Sequence, residues 1–103
     1  MSPKSDGFKD LVLDQLTDLR GVTARAMFGG YGLYHGATFF GIIHKGRLYF
    51  KVTIATASRY KAHGMKPFRP NAKQKLKSLY EVPIDIIEDA EALTQWATEA
   101  VEK

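Results

Sequence analysis

The sequence contains no cysteine among its 103 residues. That absence excludes disulfides, thiolate zinc sites, iron–sulfur clusters and a cysteine nucleophile, and it is compatible with a reducing compartment. A long hydrophobic run is also lacking, because the longest apolar stretch, residues 37–43, is far shorter than a membrane span. We therefore expect a soluble, cytoplasmic protein that makes no membrane contact.

Acidic residues are absent between Asp18 and Glu81, although that segment holds twelve of the fifteen lysines and arginines. The eleven carboxylates all lie outside it, and the net charge of the chain is +4. A cationic surface attracts phosphate, acidic protein or anionic lipid. Two outcomes stay open at this point: the basic middle forms an exposed patch, or acidic terminal helices pack beside it and neutralise it.

Length and composition predict one domain over residues 1–103. Apolar residues recur at helical spacing behind Asp6, the expected N-cap, and again behind Asp85 and Glu88, which have the spacing of a capping box. From residue 22 the period changes to about two, and glycine-containing breaks delimit four strands. The expected strands are 22–27, 31–34, 38–44 and 47–52.

The second half of the chain adds a short helix over 55–63, an extended segment bracketed by Pro67 and Pro70, and a strand over 75–82. The inner side of the short helix is expected to use Ala55, Ser58 or Arg59, and Ala62. The element order α-β(3-4)-α-β(1-2)-α predicts an α+β two-layer sandwich, an antiparallel sheet with helices on one face. The expected core includes Phe8, Leu11, Leu16, Phe40, Ile42, Leu48, Phe50, Tyr80, Leu93 and Trp96.

The other sheet face is expected to be open. On the fourth strand, Leu48 and Phe50 have core parity, so Arg47, Tyr49 and Lys51 should lie on the open face. An uncovered face with an aromatic residue, or an unpaired edge strand, also predicts a weak homodimer with Tyr49 near the contact. Tyr49 between two cations is also suitable chemistry for stacking a nucleic-acid base.

No catalytic or metal motif is evident. The glycines at 29, 30 and 32 precede a strand rather than a helix and have no lysine nearby, so we interpret them as a turn or bulge and not as a phosphate loop. His35, His44 and His63 have no ligand spacing, and no G-x-S-x-G sequence occurs. We predict a protein that is not an enzyme and needs no cofactor.

The densest basic run crosses the short helix, the proline segment and the last strand. Its cations are expected to contact phosphates without reading sequence, or to contact an acidic protein partner. With the fourth strand, the predicted contact residues are Arg47, Tyr49, Lys51, Arg59, Lys66, Arg69, Lys73, Lys75 and Lys77.

The octapeptide MFGGYGLY at 27–34, followed by the tetrapeptide YEVP at 80–83 and by Trp96, resembles the N-terminal domain of the TfoX/Sxy family. Full-length members carry a further helical domain that has no counterpart in these residues, and Thr53 stands where the family pattern leads us to expect an acidic residue. The motif residues expected to be structural are Met27, Phe28, Gly29, Gly30, Gly32, Tyr80 and Pro83.

The resemblance implies a bacterial regulator of competence genes that acts with transcription proteins at promoters. We therefore expect a non-enzymatic regulatory or adaptor domain with a protein partner. Two alternatives stay open: a sequence-tolerant nucleic-acid-binding module that uses the basic middle, and a small protein that binds a phosphate ligand.

Overall fold

A six-stranded antiparallel sheet and a layer of helices form the fold, which confirms the predicted α+β sandwich. The computed structural model describes residues 4–27, 30–71 and 74–102, without the side chains of 4–6, 70, 71 and 74–77. The strand order is β1-β2-β3-β4-β6-β5. The elements are α1 (Lys4–Gln15), β1 (Val22–Met27), β2 (Gly30–His35), β3 (Thr38–His44), β4 (Arg47–Lys51), α2 (Ile54–Ala62), β5 (Pro67–Asn71), β6 (Gln74–Glu81), α3 (Ile84–Ile87) and α4 (Ala90–Val101).

The strand bounds follow the predicted breaks closely, and the turns explain why. Lys45 and Gly46 join β3 to β4 with φ values of 53° and 75°. Two consecutive residues with positive φ make the tight hairpin turn whose twist matches that of antiparallel strands, and glycine adopts this conformation without strain. Arg47 thereby pairs directly with His44, which fixes the register of β4.

The helices depart from prediction at their ends. Helix α1 begins at Lys4, so Asp6 lies inside it and is not its N-cap. The C-terminal segment divides into α3 and α4, and the cap of α4 is Asp89, whose side chain accepts a hydrogen bond from the Ala92 amide. The predicted Asp85–Glu88 capping box is therefore wrong. None of the helices in the described residues combines the length and apolarity needed to cross a bilayer.

The main core lies between the helices and one face of the sheet. Its buried side chains include Val12 and Leu16 of α1, Tyr60 of α2 and Trp96 of α4. Phe8 is partly buried against this cluster, whereas Leu11 is 42% exposed, so its predicted core position is wrong. The buried stripe of α1 recurs every four residues through Phe8, Val12 and Leu16, which leaves Leu11 beside the stripe and in solvent.

The inner side of α2 was also predicted wrongly. Ala57 and Tyr60 are the buried residues of this helix, while Ala55, Ser58 and Ala62 are exposed and Arg59 is half-buried. Tyr60 lies 4.7 Å from the Trp96 ring and 6.1 Å from the Tyr80 ring, measured between centroids. The Tyr60 side chain holds α2 against the main core. Ala57 is three residues earlier and lies on the same side of the helix, so these two residues define its buried face.

A β-bulge in β3 redistributes its side chains between the two faces of the sheet. Leu33 pairs with Gly41 but Tyr34 pairs with Phe39, so Phe40 is an additional residue in β3. Phe40 consequently packs in the main core, while Ile42, two residues further on, packs on the opposite face. Both were predicted to be buried and are, but they belong to different clusters.

Candidate binding surface

The sheet face that points away from the helices, called the second face from here on, carries the alternate residues of β4. Leu48 and Phe50 are fully buried in the main core, which places Arg47, Tyr49 and Lys51 on the second face as predicted. Arg47 is exposed and Lys51 is half-buried. Strand alternation thus brings three of the predicted contact residues to one surface.

Tyr49 is not open to solvent, contrary to the prediction. It is 9% exposed and packs in a second, smaller cluster with Ile42, Phe68 and Leu79. The Phe68 ring, from the edge strand β5, lies 4.6 Å from the Tyr49 ring at an interplanar angle of 52°. The Tyr49 ring is therefore buried within the second face. Its exposure was the reason for predicting a role in a homodimer contact or a base stack, and that reason no longer applies.

Burial also changes the acidity of these residues. Burial first, and the negative charge of Glu81 second, raise the pKa of Tyr49, while the Arg47 charge opposes this shift. His44, whose ring lies 5.3 Å from the Phe68 ring, has its pKa lowered by burial and by the neighbouring Lys45 charge. The Tyr49 hydroxyl is therefore protonated at neutral pH and remains available as a hydrogen-bond donor.

A cleft of about 350 Å³ opens beside Tyr49 at the junction of β4, β5 and β6. We call it the basic cleft, because three of its six lining residues are cations and one is an acid. Its lining residues are Arg47, Tyr49, Lys66, Pro67, Arg69 and Glu81.

One carboxylate already occupies a position in the basic cleft. A guanidinium nitrogen of Arg47 donates to both carboxylate oxygens of Glu81, at 3.1 and 3.4 Å. The Arg47 side chain is 62% exposed, so solvent screens this pair and it contributes little to stability. The contact does show that a carboxylate fits against Arg47 at this site.

Lys66 and Arg69 are the uncommitted cations of the basic cleft. Both are exposed, and neither belongs to an ion pair within the part of the chain that the structure describes. Pro67 fixes the backbone between them as it enters β5, which keeps both residues on the wall of one cleft. An anionic group that enters the cleft meets these two positive charges together with Arg47.

Arg59 lies apart from this surface, and its contact role stays a prediction. Its guanidinium forms an ion pair with Glu99 and lies 4.7 Å from the centre of the Trp96 ring. These contacts join α2 to α4 on the helical side of the sheet. A side-chain carboxylate of the C-terminal helix therefore neutralises Arg59, as expected if acidic terminal helices pack beside the basic middle. Lys66 and Arg69 instead stay exposed, as expected of a basic patch.

The last three predicted contact residues have no described side chains. Lys73 lies outside the described residues, and Lys75 and Lys77 belong to β6 by their backbone alone.

The motif residues occupy structural positions where they are described, while Phe28 and Gly29 lie outside the described residues. Gly30 begins β2, and a Cβ there would lie 2.1 Å from the Ile43 carbonyl oxygen, so only glycine permits this approach of two strands. A Cβ at Gly32 would lie 2.5 Å from the Met27 sulfur. Tyr80 is buried in the main core and Pro83 precedes α3. The glycines therefore serve strand packing.

The sequence was compared with models of known protein families, and the result agrees with the motif residues. The family model of the TfoX N-terminal domain matches residues 14–103, nearly the whole chain. The chain belongs to the TfoX N-terminal domain family. No curated protein matches it. This family is not a known enzyme family.

Thr53 has a structural role in this TfoX N-terminal domain. Its hydroxyl accepts a hydrogen bond from the Thr56 amide, and the Thr56 hydroxyl accepts one from the Thr53 amide. This reciprocal pair caps α2 where the family pattern led us to expect an acid, and threonine supplies the same hydrogen-bond acceptor without charge. Within the described residues, no cluster of histidine and acidic side chains suits a metal ion.

The sequence did not reveal three further residues of the second face. Tyr34 of β2 and Phe39 of β3 are half-buried cross-strand partners, with ring centroids 5.6 Å apart. The Arg25 guanidinium of β1 lies 5.1 Å from the centre of the Tyr34 ring. The alternation within β1 and β2 places Arg25 and Tyr34 on one face, but the bulge at Phe40 is needed to place Phe39 beside them.

A second cleft, of about 480 Å³, lies between the start of α2 and β6. It is largely apolar and includes Ile54, which is 94% exposed on the first turn of α2. Its lining residues are Val52, Thr53, Ile54, Ala57, Lys61, Ser78 and Tyr80.

Proposed function

We propose that the chain is a non-enzymatic regulatory or adaptor domain that binds an acidic segment of a protein partner in the basic cleft. Membership of the TfoX N-terminal domain family supports a regulatory role, since the resemblance implies regulators of competence gene expression. The observation that carries the proposal is the pair of uncommitted cations, Lys66 and Arg69, in one recess with Arg47.

The charge distribution supports an anionic partner. Glu81 is the only acidic residue in the sequences of the six strands, and Arg47 already engages it. The other carboxylates of the described chain belong to helices or to the turns around them. The sheet is therefore basic and the helical layer acidic, and such a separation orients a charged partner before contact.

The shape of the cleft favours a flexible peptide over duplex DNA. A recess of about 350 Å³ has room for one or two side chains, and the Glu81 carboxylate shows the kind of group that fits against Arg47. Recognition of duplex sequence needs an element that enters a groove. Helix α4 carries Glu91 and Glu99, and Glu102 is its C-cap, which is the wrong charge for that role.

The test is binding of a fluorescein-labelled peptide of alternating Glu and Ala, measured by fluorescence anisotropy. We expect the double variant Lys66→Glu/Arg69→Glu to bind about tenfold more weakly or worse, since each exposed ion pair contributes up to about 1 kcal/mol and the introduced carboxylates repel the peptide. The melting temperature should hardly change, because both side chains are exposed.

The matched control is Arg20→Glu/Lys61→Glu, which makes the same change in net charge at exposed residues outside the basic cleft. It should keep most of the peptide affinity. Equal losses of peptide affinity in the two double variants would show that net charge alone drives binding and would contradict binding in the basic cleft. Tighter binding to duplex DNA than to the peptide would refute the choice of a protein partner.

Capture of partners from a bacterial lysate, with and without nuclease, separates protein contacts from nucleic-acid contacts. We expect nuclease-resistant capture by the wild type and by the control variant, and its loss in Lys66→Glu/Arg69→Glu. Capture that disappears with nuclease would instead support the nucleic-acid-binding alternative.

A further inference from the structure

A row of aromatic side chains crosses the second face, and its more exposed members, Tyr34 and Phe39, do not line the basic cleft. Tyr34 and Phe39 pair directly across β2 and β3, and their rings meet edge to face at 5.6 Å. Phe39 continues the row because it packs against the cluster of Ile42, Tyr49, Phe68 and Leu79. Unlike Tyr49 and Phe68, Tyr34 and Phe39 are only half-buried, so both present ring surface to solvent.

Arg25 borders this row on the edge strand β1. Its guanidinium lies 5.1 Å from the centre of the Tyr34 ring, within the range of a cation–π contact. Arg25 itself is exposed and has no carboxylate partner in the described part of the chain. Its planar group thus extends the aromatic surface and adds an available positive charge at its margin.

The rest of the second face has few groups that would repel an anion. Gly32 pairs directly with Arg25, two residues before Tyr34 on β2, and contributes no side chain. The sole acidic residue of the strands, Glu81, is across the sheet on β6 and is held by Arg47. Solvent-facing rings and flanking cations, with no acid beside them in the described strands, are together the features that bind unpaired bases and their phosphates.

We propose that Tyr34, Phe39 and Arg25 form a stacking platform for single-stranded nucleic acid. Bases stack on the two rings and on the Arg25 guanidinium, while that charge and Lys51 of the same face attract the phosphates. The surface offers no ordered set of base-edge hydrogen bonds, so binding tolerates any sequence. Duplex nucleic acid binds more weakly, since its bases are stacked on one another and cannot reach the rings.

This platform goes beyond the proposed function and uses different residues from the basic cleft. The two are independent in experiment, because Lys66 and Arg69 lie on β5 and its approach, whereas the platform lies on β1, β2 and β3. An adaptor with both surfaces would hold a nucleic-acid strand and an acidic protein segment at the same time.

The test is fluorescence anisotropy with labelled oligothymidylate and oligouridylate, compared with a duplex of equal length. We expect single strands to bind more tightly than the duplex, and the affinity to fall with salt with a slope of about −0.7 per phosphate contacted. The DNA and RNA probes together show whether the 2′-hydroxyl affects binding. Absence of binding by both single strands, or a preference for the duplex, would overturn the proposal.

The variants Tyr34→Leu and Phe39→Leu keep apolar volume and remove the rings. Each should weaken single-strand binding roughly 5- to 150-fold, the range that corresponds to one lost stacked base. Tyr34→Phe retains a ring and should bind like the wild type. Unchanged affinity in both leucine variants, with melting curves that show them folded, would overturn the platform.

Arg25→Gln and Arg20→Gln form a matched pair, because each removes one exposed arginine charge and only Arg25 adjoins the rings. We expect Arg25→Gln to weaken binding severalfold more than Arg20→Gln. Equal effects would assign the binding to net charge and would contradict a defined platform. The Lys66→Glu/Arg69→Glu variant should keep more single-strand binding than the two leucine variants do.

Discussion

Truncation of Phe68 to alanine should both destabilise the domain and uncover Tyr49. Phe68 is 4% exposed, and its ring contacts the rings of Tyr49 at 4.6 Å and His44 at 5.3 Å. Loss of a buried phenylalanine costs about 3 to 5 kcal/mol. We expect about 3 kcal/mol, because Phe68 lies on an edge strand in a cluster of only four buried residues, where neighbours collapse into the vacated space.

That loss is a large fraction of a typical domain stability of about 5 to 15 kcal/mol. In urea, with a denaturation slope of about 1 to 3 kcal/mol per molar, it corresponds to a fall in the midpoint of roughly 1 to 3 M. Far-UV circular dichroism is the assay. Phe68→Leu is the matched control and should lose less than about 1.5 kcal/mol, because it keeps most of the apolar volume.

The same substitution should change the acidity of Tyr49. Burial is the main cause that raises the pKa of Tyr49, so removal of the covering ring should bring this pKa back towards its ordinary value. NMR of labelled tyrosine rings during an alkaline titration follows it. An unchanged urea midpoint together with an unchanged Tyr49 pKa would show that Phe68 does not cover the second face.

Three further predictions concern stability and assembly. Trp96→Ala should cost about 3 to 5 kcal/mol, since Trp96 is buried against Tyr60 and Arg59; circular dichroism melts test this, and an unshifted melt would remove Trp96 from the core. Burial raises the pKa of Tyr49 and Tyr60 above the unfolded value of about 10, so the folded state holds these protons more tightly. The stabilisation that results is complete below that pH and is lost as pH rises above it. Urea melts at neutral pH and above pH 10 should show this loss, whereas equal stability at both would contradict the burial. A weak homodimer stays a prediction, for which the remaining reason is an unpaired edge strand such as β1, which ends the sheet among the described strands. Sedimentation that gives a monomer at high concentration would rule it out.

Local sequence features predicted much of the fold. The bounds of β1 and β3 match the predicted ranges, and Lys45-Gly46 forms the expected turn. These features depend on residues a few positions apart, where the alternation of side chains and the conformational freedom of glycine act directly. The charge separation between strands and helices could likewise be read from the sequence, since all the acids lie outside the central segment.

The features that were missed depend on contacts between distant residues. Phe68 covers Tyr49 only because β5 pairs with β6, which in turn pairs with β4. The bulge at Phe40 shifts Ile42 to the second face, and alternation alone assigns it to the other one. Arg59 resembles its basic neighbours in sequence, yet it is bound to Glu99, forty residues away.

The candidate site was predicted in part. Of the predicted contact residues, Arg47, Tyr49, Lys66 and Arg69 line one cleft, although they come from two segments of the chain. Their residue types predicted an anion-binding surface, and that binding stays a prediction. Their arrangement around a recess, with Glu81 on its wall, follows from the pairing of β4 with β6 and could not be derived from spacing along the chain.

Amide chemical-shift mapping shows residue by residue whether an acidic segment binds in the basic cleft. A ¹⁵N-labelled sample is titrated with the unlabelled peptide of alternating Glu and Ala. We expect the largest shifts at Arg47, Tyr49, Lys66, Arg69 and Glu81, and their loss in Lys66→Glu/Arg69→Glu. Shifts concentrated on the helical layer, or no shifts at peptide concentrations that saturate anisotropy, would contradict the account.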